Sequence, residues 1–532
     1  MLEEDIEFYQ LGGDPSLEDM ETVALGAMKV RVSEKTVKYI DERRAMLEQL
    51  LDSGKVMYGI NTGFGELASQ KVSKENLKKL QVNLIRSHSC GVGRPLDDDQ
   101  ALALMFARAN ELAKGNSGIR SVVLLTLADM INKGVIPLIP CKGSVGASGD
   151  LAPSAHMTLT MIGEGQAHIY GEEGWKPSAE VMKKAGIATI ELAEKEGLAL
   201  INGTQAMKAV GGLALRQAVN VVGAAVTSLC MTLEAMKGTP VAFDDRIHQL
   251  KPHDGELLIS SVVFNMLKGS GITGNPENYK RVQDPYCIRC MPQAMGPVAD
   301  TVFNAVNVFE TELRSVTDNP LIVDKEDGTN GVDVLSGGNF HGQYLSFASD
   351  FSAIAMTALG NMSERRIAQM ISDFKILPPF LARNPGLESG FMIAHVTAAA
   401  LCNENKVLSH PASSDSIPTS ANKEDFVSMG MNAANKLREV VINVSRIIAV
   451  ELLAAAEGIE YHAPLKTSPR IQVFLNRLRE LAPAFRGDEV FADKINLVSA
   501  AVLSGVFNAF EEEEEGCECG DCSCGEGSCD CH

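Results

Sequence analysis

The chain has 532 residues, 48 basic against 68 acidic, for a formal charge of −20. No basic surplus exists to neutralise phosphates or grip an anionic bilayer, which argues against nucleic acid and membrane surfaces as partners. At 45% hydrophobic and 22% charged residues, the chain is too apolar for disorder and long enough for more than one unit around a large core.

In chain order, the acidic N-terminus MLEEDIEFYQ lacks the basic and apolar regions of a signal peptide. Glycine-rich loops follow: YGINTGFG at 58–65, SCGVGRP at 89–95 and CKGSVGASGDLAP at 141–153. The longest apolar stretch, Gln217 to Leu233, contains Asn, Thr and Ser and is bounded by Arg216 and Glu234. It is short for a membrane span and reads as a core helix.

Cys287-Ile-Arg-Cys290 is a lone CxxC without the further ligands of a zinc site, and reads as packing. Leu345, Ala348, Phe351, Ala355, Leu359 and Met362 recur at spacings of three and four, the pattern of one buried helix face. Pro378-Pro379 stops that run, and Val441, Val444, Ile448, Leu452 and Ala455 repeat the pattern.

The expected architecture is therefore all-α: an N-terminal domain over 1–200 with the glycine loops, and a long central helix bundle over 201–510. Helices so apolar over several turns predict faces buried against other subunits.

Residues 511–532 form an acidic appendage with nine acidic residues and no basic one, leaving the body with 48 basic against 59 acidic, a charge of −11. Cys517, Cys519, Cys522, Cys524, Cys529 and Cys531 fall there as three C-x-C pairs, closed by His532. Such a tail cannot build an apolar core but offers thiolates to Zn²⁺ or Cu⁺; the bland alternative is a solvated disordered segment. The six body cysteines are too sparse for a disulfide framework, which points to the cytosol.

The segment GSVGASGDLAPSAH at 143–156 carries the most information. It lacks the Gly-Lys-Ser/Thr of a P-loop, and Ser148 is not framed as G-x-S-x-G, so it is no nucleophile elbow. Ala147-Ser148-Gly149 is instead a tripeptide of minimal volume. An unhindered Gly amide can reach the carbonyl two residues back, close a five-membered ring and let the Ser hydroxyl leave as water. Most glycine-rich turns are only turns, so the residues alone leave both readings open.

GSVGASGDLAP resembles the signature of the histidine, phenylalanine and tyrosine ammonia-lyase and aminomutase family. The resemblance runs over about residues 20–480, through YGINTGFG, NLIRSHSCGVG (83–93), ALINGTQ (199–205), VQDPYCIRC (282–290), DNPL (318–321), SGGNFHG (336–342), SGFMIAH (389–395) and ENKVLSHPASSDSIPTSANKEDFVSMG (404–430). It implies that Ala147, Ser148 and Gly149 cyclise to 4-methylideneimidazol-5-one (MIO), an electrophile needing no external cofactor and seated at helix N-termini. It implies Tyr58 as the base for the β-proton and Arg289 as the clamp on the substrate carboxylate. Asn202 and Tyr286 match residues that hold the MIO group and the amine, and Gln283 and Phe340 match pocket-lining positions. It also implies a homotetramer whose sites draw on three subunits.

Ser87-His88, Met392 and Glu424 resemble the histidine-lyase form, and a carboxylate at 424 can accept a hydrogen bond from an imidazole N–H. Lys423 and Phe426 depart from it, standing where glutamine and histidine are usual. Arg383 to Glu388 and KPHDGE (251–256) lean toward the aminomutases, with Lys251 where their pattern has arginine. The expected reaction is L-histidine to trans-urocanate and ammonia; the alternative is a tyrosine or phenylalanine 2,3-aminomutase or ammonia-lyase.

Overall fold

A computed structural model of the chain describes residues 7–53, 57, 60–62, 76–147, 149–273 and 281–510. Among the described residues, eighteen α-helices carry the chain and strands run only two to four residues, so the mainly helical expectation holds.

The elements that position the site can be taken in order. Helix α1 (Leu77–His88) leads into strand β1 (Val92–Pro95), followed by α2 (Asp98–Leu112). Strand β2 (Pro140–Lys142) pairs antiparallel with β1, Val92 opposite Lys142 and Pro95 opposite Pro140, with a bulge between. Helices α3 (Leu151–Met161) and α4 (Glu196–Ile201) precede the bundle. The bundle comprises α5 (Gln205–Ala235), α6 (Met291–Leu313), α7 (Gln343–Ser372), α8 (Met392–Leu408) and α9 (Gly430–Glu460). Helices α5, α7 and α9 pack directly on one another, with α6 and α8 alongside.

Helix α5 contains the apolar stretch flagged above and is the one described helix long and apolar enough to cross a membrane; 94% of that window is buried inside the protein. It is a core helix. The α9 stripe of Val441, Val444, Ile448, Leu452 and Ala455 is also fully buried, each larger side chain contributing about 1.5–3 kcal/mol. Helix α7 differs from its expected pattern. Leu345, Ala348 and Leu359 face inward, but Phe351 is 54% exposed. With Tyr344, Phe347 and Ile354 it forms a second apolar stripe at helical spacing, turned away from the core. The helix also ends at Ser372, before Pro378, because Asp373 leaves helical backbone with ψ 77°.

The bundle is pinned toward the C-terminal ends of α5, α7 and α9 by a buried ion pair. Arg366 on α7 binds Glu451 on α9 through two contacts, Nε to Oε1 at 2.5 Å and Nη2 to Oε2 at 2.8 Å. Ser228 and Thr232 on α5 and Ser363 on α7 also donate to that carboxylate. Both charged side chains are fully buried. Removing one partner of such a pair strands the other in a medium that solvates it poorly. Glu451→Ala is expected to cost about 3–5 kcal/mol, read as a lower urea midpoint with an unchanged slope.

Candidate active site

Residues 143–147 and 149–150 lie where four helices begin. Helix α3 starts immediately after Asp150. Met207 in the first turn of α5 donates its N–H to the Asp150 carboxylate at 2.7 Å. Gly342, which precedes α7, donates to the Gly146 carbonyl at 3.2 Å, and Met429, which precedes α9, donates to the Val145 carbonyl at 2.8 Å. The Ser428 hydroxyl adds a second donor to Gly146 at 3.0 Å. Each helix start carries about half a positive charge, so negative charge arising here is stabilised.

Gly149 is locked by a neighbouring backbone. It forms an isolated parallel bridge with Gly203, and the Asp150 N–H donates to the Gly203 carbonyl at 2.6 Å. A Cβ added to Gly149 would fall 2.2 Å from the Gly203 oxygen, at a φ of +77° that side chains rarely adopt. Ala147 beside it is buried. The seat thus admits a side-chain-free residue at 149 and little else, which fits a backbone ring.

Asp150 was not singled out from the sequence. It is fully buried, and besides Met207 it accepts from the Ser144 hydroxyl at 2.7 Å. Burial pushes its carboxyl up to about 6, against the pull of the Met207 amide and the Ser144 hydroxyl. Its place directly after the Ala-Ser-Gly was the available signal.

Around this seat the chain gathers several of the predicted residues. Asn202 ends α4, one residue before Gly203, and is buried. Phe340 sits in the segment that ends at Gly342. Glu424 is held by two hydroxyls, Thr419 Oγ1 at 2.8 Å and Ser420 Oγ at 2.9 Å, both on Oε2. The turn before it is strained: Ser420, Ala421 and Asn422 all hold φ between 49° and 66°, at about 1–3 kcal/mol each. His88, at the end of α1, lies within electrostatic reach of Glu424. Its pKa is lowered by burial, which the Leu84 carbonyl and Glu424 oppose, so the ring is held toward its neutral form. The departure Phe426 stacks on His341 at 5.7 Å, with the rings 8° apart.

Gln283, Tyr286, Arg289 and Met392 stand elsewhere. Arg281 binds the Met236 carbonyl just past the end of α5 and pairs with Asp373 just past the end of α7. The 281–289 segment therefore lies at the C-terminal ends of the helices whose N-terminal ends meet Gly146 and Asp150. Helices of 31 and 30 residues separate the two groups by about 45 Å. Arg289 stacks over Tyr286 at 4.5 Å, and Tyr286 is 70% exposed. Met392 opens α8 on the same side, where His395 reaches Glu364 at 2.6 Å. Tyr58, Ser148 and the six tail cysteines lie outside the described residues.

The family model for aromatic amino acid lyases matches residues 16–480. The chain belongs to that family. It is 45% identical over 505 residues to a histidine ammonia-lyase of Caldanaerobacter subterraneus subsp. tengcongensis, covering 94% of this chain and 98% of that one. The crystal structure of histidine ammonia-lyase from Trypanosoma cruzi superposes with a TM-score of 0.86 at 39% identity, covering 94% of each chain. A tyrosine aminomutase from Streptomyces globisporus is also similar, with a TM-score of 0.86 and 36% identity over 93% of this chain and 96% of that one. As an aromatic amino acid lyase, the protein is a carbon–nitrogen lyase.

For this lyase the Gly149–Gly203 contact makes a direct prediction. Gly149→Ala is expected to leave the 147–149 segment at its unmodified mass, because the added methyl drives residue 149 off the Gly203 oxygen. Peptide mass spectrometry reads this; a peptide lightened by the loss of water would refute the steric argument.

Proposed function

We propose that this chain is a histidine ammonia-lyase, releasing trans-urocanate and ammonia from L-histidine on an MIO group made from Ala147, Ser148 and Gly149. The substrate assignment is carried by Glu424, a carboxylate braced by Thr419 and Ser420 within electrostatic reach of His88. A carboxylate held in this way can accept a further hydrogen bond from an imidazole N–H, a donor that a phenyl ring does not offer.

Ring formation joins the Gly149 nitrogen to the Ala147 carbonyl carbon and releases water twice, once from that carbonyl and once from Ser148. The resulting group supplies an electrophilic methylidene that accepts the substrate amine. Asn202 and Tyr286 hold the group and the amine. Arg289 grips the substrate carboxylate through its planar guanidinium. Tyr58 takes the β-proton; a phenol with an ordinary pKa of about 10 needs neighbouring cations or donors to do so. Gln283, Phe340 and Met392 line the pocket, and the four helix starts stabilise the developing negative charge.

One chain cannot close this pocket, since its two residue groups lie about 45 Å apart along the bundle. We infer a homotetramer in which one copy's 283–289 segment meets another copy's 147–149 loop. The exposed stripe of Tyr344, Phe347, Phe351 and Ile354 supports a further helix seated on α7. Phe351→Ser with Ile354→Ser is expected to shift the particle to smaller species in light scattering and to abolish turnover. A variant that stays tetrameric and active would remove this face from the assembly. The free body cysteines agree with a reducing cytosol.

The second reading is a 2,3-aminomutase, favoured by the Pro385-Gly386-Leu387 loop. That loop sits by Asp488, which accepts from the Ser389 and Gly390 amides. It belongs with the Met392 group, not with Glu424. Incubation with histidine, tyrosine and phenylalanine separates the readings: urocanate with free ammonia is expected, and a β-amino acid without net ammonia would decide for the mutase. Ser148→Ala should abolish turnover, and Glu424→Gln should lower kcat/KM for histidine about tenfold to a hundredfold while sparing tyrosine and phenylalanine. Equal losses on all three would remove the imidazole contact.

The tail is an accessory soft-metal site on this reading. Deleting 511–532 should remove Zn²⁺ or Cu⁺ uptake and leave lyase activity intact; uptake that survives the deletion would place the site elsewhere.

A further inference from the structure

Beneath the loop lies a cluster of charges sealed from solvent: Arg108, Glu111, Asp150, Lys195, Lys208 and Asp318, none more than 1% exposed. Three cations balance three anions. Buried ion pairs contribute little net stability, because desolvation offsets their attraction. This arrangement carries a further cost, since Arg108 Nε has no partner among the described residues. What the cluster does hold is the turn Asn202-Gly203-Thr204.

Arg108 Nη1 donates to the Ala199 carbonyl at 3.0 Å, and Nη2 donates to the Asn202 carbonyl at 2.8 Å. Nη2 also reaches Gln205 Oε1. The guanidinium therefore caps the end of α4 and the start of α5 together. Glu111, 3.6 Å from Arg108, fixes the other side of the turn. It accepts from the Thr317 amide at 3.0 Å, the Thr317 hydroxyl at 2.8 Å and the Gln205 side-chain amide. The same hydroxyl accepts from the Thr204 N–H at 3.3 Å. The turn so held presents Asn202 on one side. On the other it presents the Gly203 carbonyl, against which Gly149 is wedged.

We propose that Arg108 and Glu111 are positioning residues for the electrophile. They fix the Asn202–Gly203 peptide as the anvil on which the 147–149 segment is bent for ring closure, and they aim Asn202 at the finished group. This rests on the MIO reading above. Only the Arg fork spans three acceptors on two helices; a Lys at 108 keeps the charge and loses the span.

The test uses the full-length protein. In the wild type, the mass of the 147–149 peptide should be lower by the loss of water at both positions. An unmodified wild-type peptide overturns the MIO reading itself, before any variant is compared. Arg108→Lys, and the uncharged pair Arg108→Gln with Glu111→Gln, are expected to keep the wild-type circular dichroism and oligomer size. They should carry a measurable fraction of unmodified 147–149 peptide. Their kcat per modified site should fall about a hundredfold with KM within about twofold, as misplacement of a reacting group predicts. Folded variants with complete modification and wild-type kcat overturn the proposal. If both variants fail to fold, Thr317→Val removes one hydroxyl from the same turn and stands in for them: partial modification supports the role, and full modification with unchanged kcat overturns it.

Discussion

Gly149 lies so close to Gly203 that a side chain at 149 would drive into the Gly203 backbone, while one at 203 would run into Gln205 and Thr317. That contact sets the rest of the site. It fixes where the loop after β2 can run, and hence that Asp150 lands within reach of the first turn of α5. It brings the Asn202–Gly203 peptide against Gly149. Because α3 starts two residues after Gly149, the same contact orients a helix start toward the loop. A backbone-to-backbone contact suits this task. It has no rotamers to lose, and its geometry follows directly from the two helices that flank it.

The site couples this stiffness to an electrostatic arrangement of opposite character. Four positive helix ends converge on the loop, and the polar groups below them form a sealed, charge-balanced layer. Fixed dipoles need not reorganise when charge develops, so an unfavourable burial of charge in the resting protein becomes useful during turnover. The strained turn at Ser420 to Asn422 follows the same logic on the opposite wall, where backbone held in a rare conformation places the Glu424 carboxylate.

Much of this was legible beforehand, and the reasons for the remainder are physical. Helical spacing found α9 and the buried side of α7, because burial against the chain's own core leaves a period in the sequence. The same spacing misassigned Phe351: an apolar residue meant for another surface looks identical in composition to one meant for the core. The glycines of GSVGASGDLAP marked the loop, and the family resemblance supplied its chemistry. Asp150 lay inside that motif without a role, since its partners Ser144 and Met207 come from both sides of a long insertion. Arg108 was invisible. Two of its contacts are main-chain carbonyls about ninety residues away, and carbonyls carry no residue identity. The left-handed turn at 420–422 was equally hidden, because Ser and Ala do not advertise positive φ as glycine does.

The bundle helices act as rulers. Because one group of residues lies at each end of α5 and α7, the tetramer proposed above would divide the pocket between chains and make damage at the two ends genetically separable. A subunit impaired at residue 289 and another impaired at residue 149 each keep the half that the other has lost. Co-assembled in that tetramer, they would regenerate some intact pockets, while two subunits sharing the same lesion would regenerate none. Chains that each lack function can thus restore it in mixture, and the pattern of which alleles rescue which would trace the subunit boundary through the site.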